Sequence, residues 1–389
     1  MTKNLKIIVS GGGTGGHIFP AISIADAIKK INPEAEILFV GAKGRMEMER
    51  VPAAGYDIVG LPVAGFQRRL TFKNVTFFFK LAASITKARK IIRQFKPDVV
   101  VGVGGYASAP IMRAAASKGI PTLIQEQNSF PGVTNRLLAK KASLICVAYP
   151  DMERFFAPEK IILTGNPVRQ VLMNKVDKTE AFSHFELAPD KKTILVVGGS
   201  LGAGSINKGI LEKLDLLKDS NVQMIWQTGK YYYDDIKTKT GELNLPNLKV
   251  MPFVQRMDLA YAVADVVISR AGAGTISELA LLGKAVVLVP SPNVSEDHQT
   301  KNAMALVNRS AALLIRDNET SDKLLQQAID LSDNKILINE LQNNILEFAK
   351  PDADRDIAKY VIGLIDNGQL KIDNEKKHLI NKGNKCSQS

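Results

Sequence analysis

Two glycine-rich turns, each entered from a short apolar run and each opening onto a helix-like stretch, constrain this chain more than any other feature. The first, Gly11-Gly12-Gly13-Thr14-Gly15-Gly16-His17, follows Leu5-Lys6-Ile7-Ile8-Val9; the second, Gly198-Gly199-Ser200-Leu201-Gly202-Ala203, follows Thr193-Ile194-Leu195-Val196-Val197. Glycine lets a backbone turn tightly and pass close to a ligand, and the N–H groups at a helix N-terminus favour anions. The same strand, glycine turn and helix in both halves predicts an α/β fold with two doubly wound domains facing one another across a cleft. With 389 residues, the chain has enough material for two such domains and their cores.

Short Val- and Ile-rich runs alternate with longer helical patterns throughout. The runs are Lys6–Ser10, Ile37–Val40, Val99–Val103, Thr122–Gln125 and Leu144–Val147, then Thr193–Val197, Met224–Gln227, Val266–Ser269 and Val286–Val289. That alternation predicts parallel sheets built from βα units. Gly165-Asn166-Pro167-Val168-Arg169 reads as a hinge, so residues 1–165 and 166–350 are expected to form the two domains. A last helix over 351–368 is expected to return to the first domain, and the Lys-, Asn- and Ser-rich residues 369–389 to be disordered.

Only two cysteines, Cys146 and Cys386, occur, and the first apolar run leads into a glycine turn without a signal-peptide pattern, which predicts a reducing cytoplasm. No apolar run reaches the roughly 18 residues needed to cross a bilayer. The net charge of +12 lies entirely in the first half: residues 1–165 hold 23 Lys and Arg against 11 Asp and Glu, and the remainder holds 28 of each. Between Asp57 and Asp98 there are nine basic residues and no acid. Such a block calls for an anionic partner.

Gly11-x-Gly13-x-x-Gly16 matches the dinucleotide fingerprint, yet the second strand closes on Phe39-Val40-Gly41-Ala42 where that fingerprint needs an acid for the ribose. His17 ends the turn, and an imidazole there can take a proton from an incoming hydroxyl; a histidine that merely packs the turn is equally compatible. Gly104-Gly105-Tyr106, after the run Val99–Val103, adds a second loop in the same domain for an acceptor or phosphate. Neither loop ends in the Lys-Ser/Thr of a P-loop. In the second half Ser200 suits a phosphate oxygen, and Ser269-Arg270-Ala271-Gly272-Ala273-Gly274-Thr275-Ile276-Ser277-Glu278 brings a strand into a small-residue turn with a carboxylate one turn in. Small residues admit a diphosphate and a carboxylate accepts ribose hydroxyls, although Glu278 can equally serve the helix dipole. His298-Gln299 enters a further helix behind Pro290-Ser291-Pro292.

Taken in order, Gly-Gly-Thr-Gly-Gly-His, Gly-Gly-Tyr-x-Ser, Gln125-Glu126-Gln127-Asn128, Gly-Asn-Pro-Val-Arg, Gly-Gly-Ser-x-Gly-Ala, Arg-Ala-Gly-Ala-x-Thr-x-Ser-Glu and Asp-His-Gln-Thr-Lys-Asn-Ala resemble the MurG family over about residues 5–365. These glycosyltransferases add N-acetylglucosamine to the lipid-linked muramyl-pentapeptide precursor of bacterial peptidoglycan. The resemblance implies a GT-B fold, with the acceptor lipid handled by the first domain and UDP-N-acetylglucosamine (UDP-GlcNAc) mainly by the second. It implies that Thr14, Gly15, Gly16 and Asn128 contact the donor, that Arg169 and Ser200 bind its diphosphate, and that Val254 holds uracil by its backbone. Ala273, Gly274, Thr275, Ile276, Ser277 and Glu278 are then the phosphate and ribose cradle, and Gln299 a sugar contact. The family often has an acid at Gln255 or Arg256, and a Gln-Gln pair in some members is His298-Gln299 here. No cofactor and no metal are expected, because Asp352-Ala353-Asp354 follows Pro351 at a helix start, where acids cap. His17 is the preferred base.

Residues 72–94 read as a helix on which Val75, Phe78, Phe79, Ala82, Ile85 and Thr86 share an expected core face, with Lys73, Lys80 and Lys87 opposite and Phe77 and Leu81 among them. An aromatic among lysines suits an anionic membrane, giving a peripheral protein on the cytoplasmic face of the bacterial inner membrane. A solvated basic face is the plainer reading, and nucleic acid is disfavoured because no binding module accompanies the charge. The competing functions are a UDP-GlcNAc 2-epimerase, another GT-B glycolipid glycosyltransferase, and a nucleotide-binding regulatory module without turnover.

Overall fold

The computed structural model describes residues 4–63, 73–168, 170–199, 201–218 and 220–367; at 73–78, 170, 171, 295, 366 and 367 it describes the backbone alone. The chain divides into two compact units, one comprising Met1–Glu126, Pro131–Thr164 and Asp352–Ser389, the other Gln127–Phe130 and Gly165–Pro351.

In the first unit β1 (Lys6–Gly11), β2 (Glu36–Ala42), β3 (Asp57–Leu61), β4 (Val99–Gly104), β5 (Thr122–Glu126), β6 (Leu144–Val147) and β7 (Ile161–Leu163) form a parallel sheet in the order β3-β2-β1-β4-β5-β6-β7. Its inner strands are runs of β-branched residues buried on both faces, such as Val99, Val100 and Val101 at 0% exposure, which is what a sheet covered by helices on both sides demands. The covering helices are α1 (Gly15–Ile31), α2 (Glu47–Ala53), α3 (Lys73–Phe95), α4 (Ala109–Ala116) and α5 (Val133–Ala139).

In the second unit α6 (Lys178–Phe185) leads to β8 (Lys192–Val197), followed by α7 (Gly204–Glu212), α8 (Asp215–Lys218), β9 (Val222–Gln227), α9 (Lys230–Gly241), β10 (Leu248–Met251), α10 (Met257–Val263), β11 (Val266–Ser269), α11 (Ala273–Leu281), β12 (Ala285–Leu288), α12 (His298–Val307), β13 (Leu313–Leu314), α13 (Thr320–Asp333) and α14 (Lys335–Leu346). The sheet is again parallel, in the order β10-β9-β8-β11-β12-β13. Its core centres on Trp226, fully buried with Nε1 donating to Asn207 Oδ1 at 3.0 Å. The last helix, α15 (Ala353–Asn367), belongs to the first unit. Its Ile357, Ala358, Val361 and Leu364 enter the same core as Ile18, Ala21, Ile24 and Ile28 of α1. Buried side chains of that size contribute roughly 1.5–3 kcal/mol each, less for alanine.

In both sheets the order of strand addition reverses beside the first strand, between β1 and β4 and between β8 and β11. In open α/β sheets ligands bind outside the carboxyl ends of the strands at such a switch point. The glycine turns picked out in the sequence leave β1, β4, β8 and β11 at those ends.

Helix α3 corrects one expectation. Phe79 is 74% exposed and Ala82 and Thr86 are also exposed, so the face named as core is not one. The buried stripe is Ser84, Ala88, Ile91 and Ile92, with Leu81 and Ile85 half-buried, because α3 rests on β3 and α4 through its C-terminal part and that contact sets the phase. Val75, Phe78, Phe77 and Lys73 have side chains outside the described residues.

Candidate functional site

In the first unit, Gly13 takes φ +87° and Thr14 is the extended N-cap from which α1 starts. The turn sets His17 Nδ1 3.1 Å from Thr14 Oγ1. The tautomer protonated at Nδ1 donates to that hydroxyl and carries its lone pair on Nε2. Thr14 and Gly16 are exposed, Gly15 and His17 half-buried. The loop after β4 packs against this turn: a Cβ on Gly105 would lie 2.5 Å from the Gly12 carbonyl oxygen and 3.5 Å from His17 Nδ1. Gly104 and Gly105 both have positive φ, and the ring of Tyr106 stands beside Gly13. The two loops of the first unit therefore pack into one glycine-lined surface that ends at an imidazole.

Sequence reasoning missed Glu47. Its carboxylate is fully buried beneath the turn, where Oε2 accepts from Gly13 N–H at 3.1 Å and Oε1 from Ala42 N–H at 2.9 Å. An acid does therefore follow the second strand, but it is consumed by the loop's own backbone and is not offered to a ribose. In Gly44-Arg45-Met46-Glu47-Met48-Glu49-Arg50 it looks like any charged residue of a solvated first turn.

The second unit holds the other predicted residues. Gly199 and Gly202 both have positive φ, and Gly202 abuts the Thr228 carbonyl so closely that no side chain fits. Buried Gln227 ties two loops together: Nε2 donates to Gly199 O at 3.0 Å, and Oε1 accepts from Val254 N–H at 2.9 Å. Val254's amide is thus already used. Next to it Arg256 forks onto Asp258, and the guanidinium holds that carboxyl below its usual range. Ser200 and Arg169 lie outside the described residues.

The turn after β11 opens α11 with Gly272 extended at the N-cap. Ala273, Thr275 and Glu278 are half-buried and Gly274 is exposed. Ile276 is buried and its N–H bonds to Gly272 O at 2.9 Å, while Ser277 Oγ donates to Ala273 O at 3.0 Å, so both brace the turn. Arg270 holds the turn from behind, donating to Asp317 at 2.5 Å, to the Val289 and Pro290 carbonyls and to Ser205 Oγ. Two asparagines bring Gln127–Phe130 onto this framework. Asn302 donates to Asn128 Oδ1 at 3.0 Å and accepts from Ser129, and Asn166 donates to Gln127 O and to Ser277 Oγ. Gln299 Oε1 accepts from Ser291 N–H at 2.8 Å, which fixes the direction of its amide. Of the DxD acids, Asp352 pairs with Arg355 and Asp354 is buried at the start of α15. Among the described residues no three His, Cys, Asp or Glu side chains cluster as a metal site would.

Two parallel Rossmann-like units with glycine turns at their switch points are the GT-B architecture, and comparison with known proteins places the chain among glycosyltransferases of that fold. The profile of the glycosyltransferase family 28 N-terminal domain matches residues 7–147, and that of its C-terminal domain residues 193–360. A protein of Phocaeicola vulgatus named UDP-N-acetylglucosamine–N-acetylmuramyl-(pentapeptide) pyrophosphoryl-undecaprenol N-acetylglucosamine transferase is 59% identical over 368 residues, 94% of this chain and 98% of that one. A protein of the same name from Bacteroides thetaiotaomicron is 58% identical over 94% of this chain and 99% of its own length. The crystal structure of Acinetobacter baumannii MurG is similar with a TM-score of 0.75 at 29% identity, covering 92% of this chain and 99% of that one. The chain belongs to glycosyltransferase family 28 and, within it, to the MurG family of N-acetylglucosamine transferases.

Proposed function

We propose that this chain is an inverting hexosyltransferase that moves N-acetylglucosamine from UDP-GlcNAc to the 4-hydroxyl of the muramyl sugar in undecaprenyl-pyrophosphoryl-MurNAc-pentapeptide, the lipid I to lipid II step of peptidoglycan synthesis. The observation that carries it is 59% identity along 94% of the chain to a transferase of that name. The acceptor oxygen attacks the anomeric carbon, the bond from that carbon to the β-phosphate oxygen breaks, and UDP leaves. His17 Nε2 takes the hydroxyl proton, with Thr14 holding the ring, and Gly104, Gly105 and Tyr106 receive the acceptor's phosphates. Support for this assignment is the His17–Thr14 contact and the close packing of the two loops.

The donor is held by the second unit. The Val254 carbonyl reads uracil N3–H, its own N–H being taken by Gln227. Glu278 accepts the ribose hydroxyls, Arg169, Ser200 and the N-termini of α7 and α11 bind the diphosphate, and Asn128 and the amide of Gln299 contact the sugar. Charge that grows on the leaving diphosphate is stabilised by these helix ends and cationic groups. No metal is required, and no cofactor.

The enzyme works as a peripheral protein at an anionic membrane surface, on the cytoplasmic face, and takes no nucleic acid. What favours this is the basic excess of the first half, with Phe79 and Lys80 exposed on α3; Leu81 is half-buried and contributes less. No helix among the described residues is long and apolar enough to cross a membrane. The test is incubation of labelled UDP-GlcNAc with lipid-linked muramyl acceptor in the presence of a chelator. Label is expected in the disaccharide lipid at the rate seen without chelator. UDP release without transfer, or an epimerised sugar nucleotide, would overturn the reading, and loss of turnover on chelation would overturn its metal-free form.

A further inference from the structure

The Glu47 carboxylate lies between the end of β2 and the β1–α1 turn, with none of its surface exposed. A buried charge is costly unless hydrogen-bonded, and here each oxygen accepts a backbone N–H, from Gly13 at 3.1 Å and from Ala42 at 2.9 Å. The loop has been shaped around this group. A Cβ on Gly12 would collide with Glu47 Oε1 and lie 2.5 Å from its Cδ, and a Cβ on Gly41 would lie 2.6 Å from its Cγ. From the other side Gly105 closes on the Gly12 carbonyl. The peptide at Gly12-Gly13 is therefore clamped between a carboxylate and a second glycine loop, a few residues before His17.

We propose that Glu47 is the positioning residue of the β1–α1 loop: it touches no substrate, and by holding Gly13 against Ala42 it fixes Thr14–His17 in the one arrangement that serves transfer. The importance for turnover rests on the proposed role of His17 as base; the hold on the loop does not. Displacing a reacting group by about 1 Å costs about 10²-fold in rate, which sets the size of effect a loosened loop should have.

Glu47→Gln keeps the shape but replaces one acceptor with an N–H donor facing an N–H. Amide exchange in a peptide spanning residues 10–18 is expected to quicken by about tenfold or more, while a peptide spanning 192–199 exchanges as before. Turnover with the lipid-linked acceptor should fall about 10²-fold, with UDP-GlcNAc affinity unchanged within about twofold. Gly12→Ala adds one methyl against the carboxylate and should also lower turnover, but should lower it no further in a Glu47→Ala background, because the two act through one contact. Unchanged exchange over residues 10–18 in Glu47→Gln overturns the proposal, as does a Gly12→Ala enzyme with wild-type turnover, or multiplying effects in the double variant. If His17→Ala leaves turnover intact, the role of His17 fails instead, and the exchange result still decides what Glu47 holds.

Discussion

Single buried side chains hold the loops assigned to the site in this protein. Gln227 is the plainest case in the second unit: one buried amide satisfies the Gly199 carbonyl and the Val254 N–H at once, so the loop assigned to the diphosphate and the loop assigned to uracil share a strut. Gln227→Leu preserves volume but orphans both groups, at about 1–3 kcal/mol for each one that stays buried. Titration calorimetry is expected to show UDP-GlcNAc affinity lowered by about tenfold or more. Wild-type affinity would show that the amide does not set the two loops. Glu47, Gln227, Asn166 and Asn302 share a reason for having no visible role in the sequence. Each acts through partners that only the tertiary fold supplies; Asn302, for example, meets Ser129 across 173 positions of chain. His17, by contrast, is legible because it adjoins its turn in the sequence.

Among the elements, the inner strands are legible in the sequence and the edge strands are not. β3, β7, β10 and β13 are the four sheet edges, and none of them is among the runs the sequence picks out: β7 and β13 are apolar but only three and two residues long, and β3 and β10 each carry a charged residue. A strand covered on both faces and paired on both sides reads as a continuous apolar run, whereas an edge strand such as β10 has all four residues half-exposed and mixes lysine with apolar side chains. Phase is the weak point in helices. The sequence pattern of α3 carries apolar residues around most of its circumference, so periodicity alone places Phe79 in the core, and only the contact with α4 and β3 shows which stripe is buried. An exposed Phe79 beside Lys80 makes a direct prediction for the membrane reading. Phe79→Glu should reduce co-sedimentation with anionic vesicles by severalfold and leave the melting midpoint in place, since no packed side chain is lost. Unchanged sedimentation would return this helix face to solvent, and a large fall in the midpoint would return it to the core.

At the scale of the whole chain, the two units repeat one topology with different chemistry at the switch point. The first has nearly all its basic excess in residues 1–165, a histidine at the end of its glycine turn and a carboxylate turned inward. In the second, which has no basic excess, the glycine turn, the α11 cradle and the Gln127–Phe130 segment are held by amide side chains. That asymmetry is why proton transfer is assigned to one unit and donor binding to the other. Family and fold agree with paired Rossmann-like units. The assignment of single residues to steps rests instead on local geometry, the His17–Thr14 contact in one unit and the Gln227 strut in the other.

The division of labour is tested most directly by measuring donor binding and steady-state turnover in His17→Ala. Turnover at saturating substrates is expected to fall by about 10²–10⁴-fold, the range for a general base, with UDP-GlcNAc affinity unchanged within about twofold. A variant that loses donor binding yet turns over at the wild-type rate when saturated would contradict it.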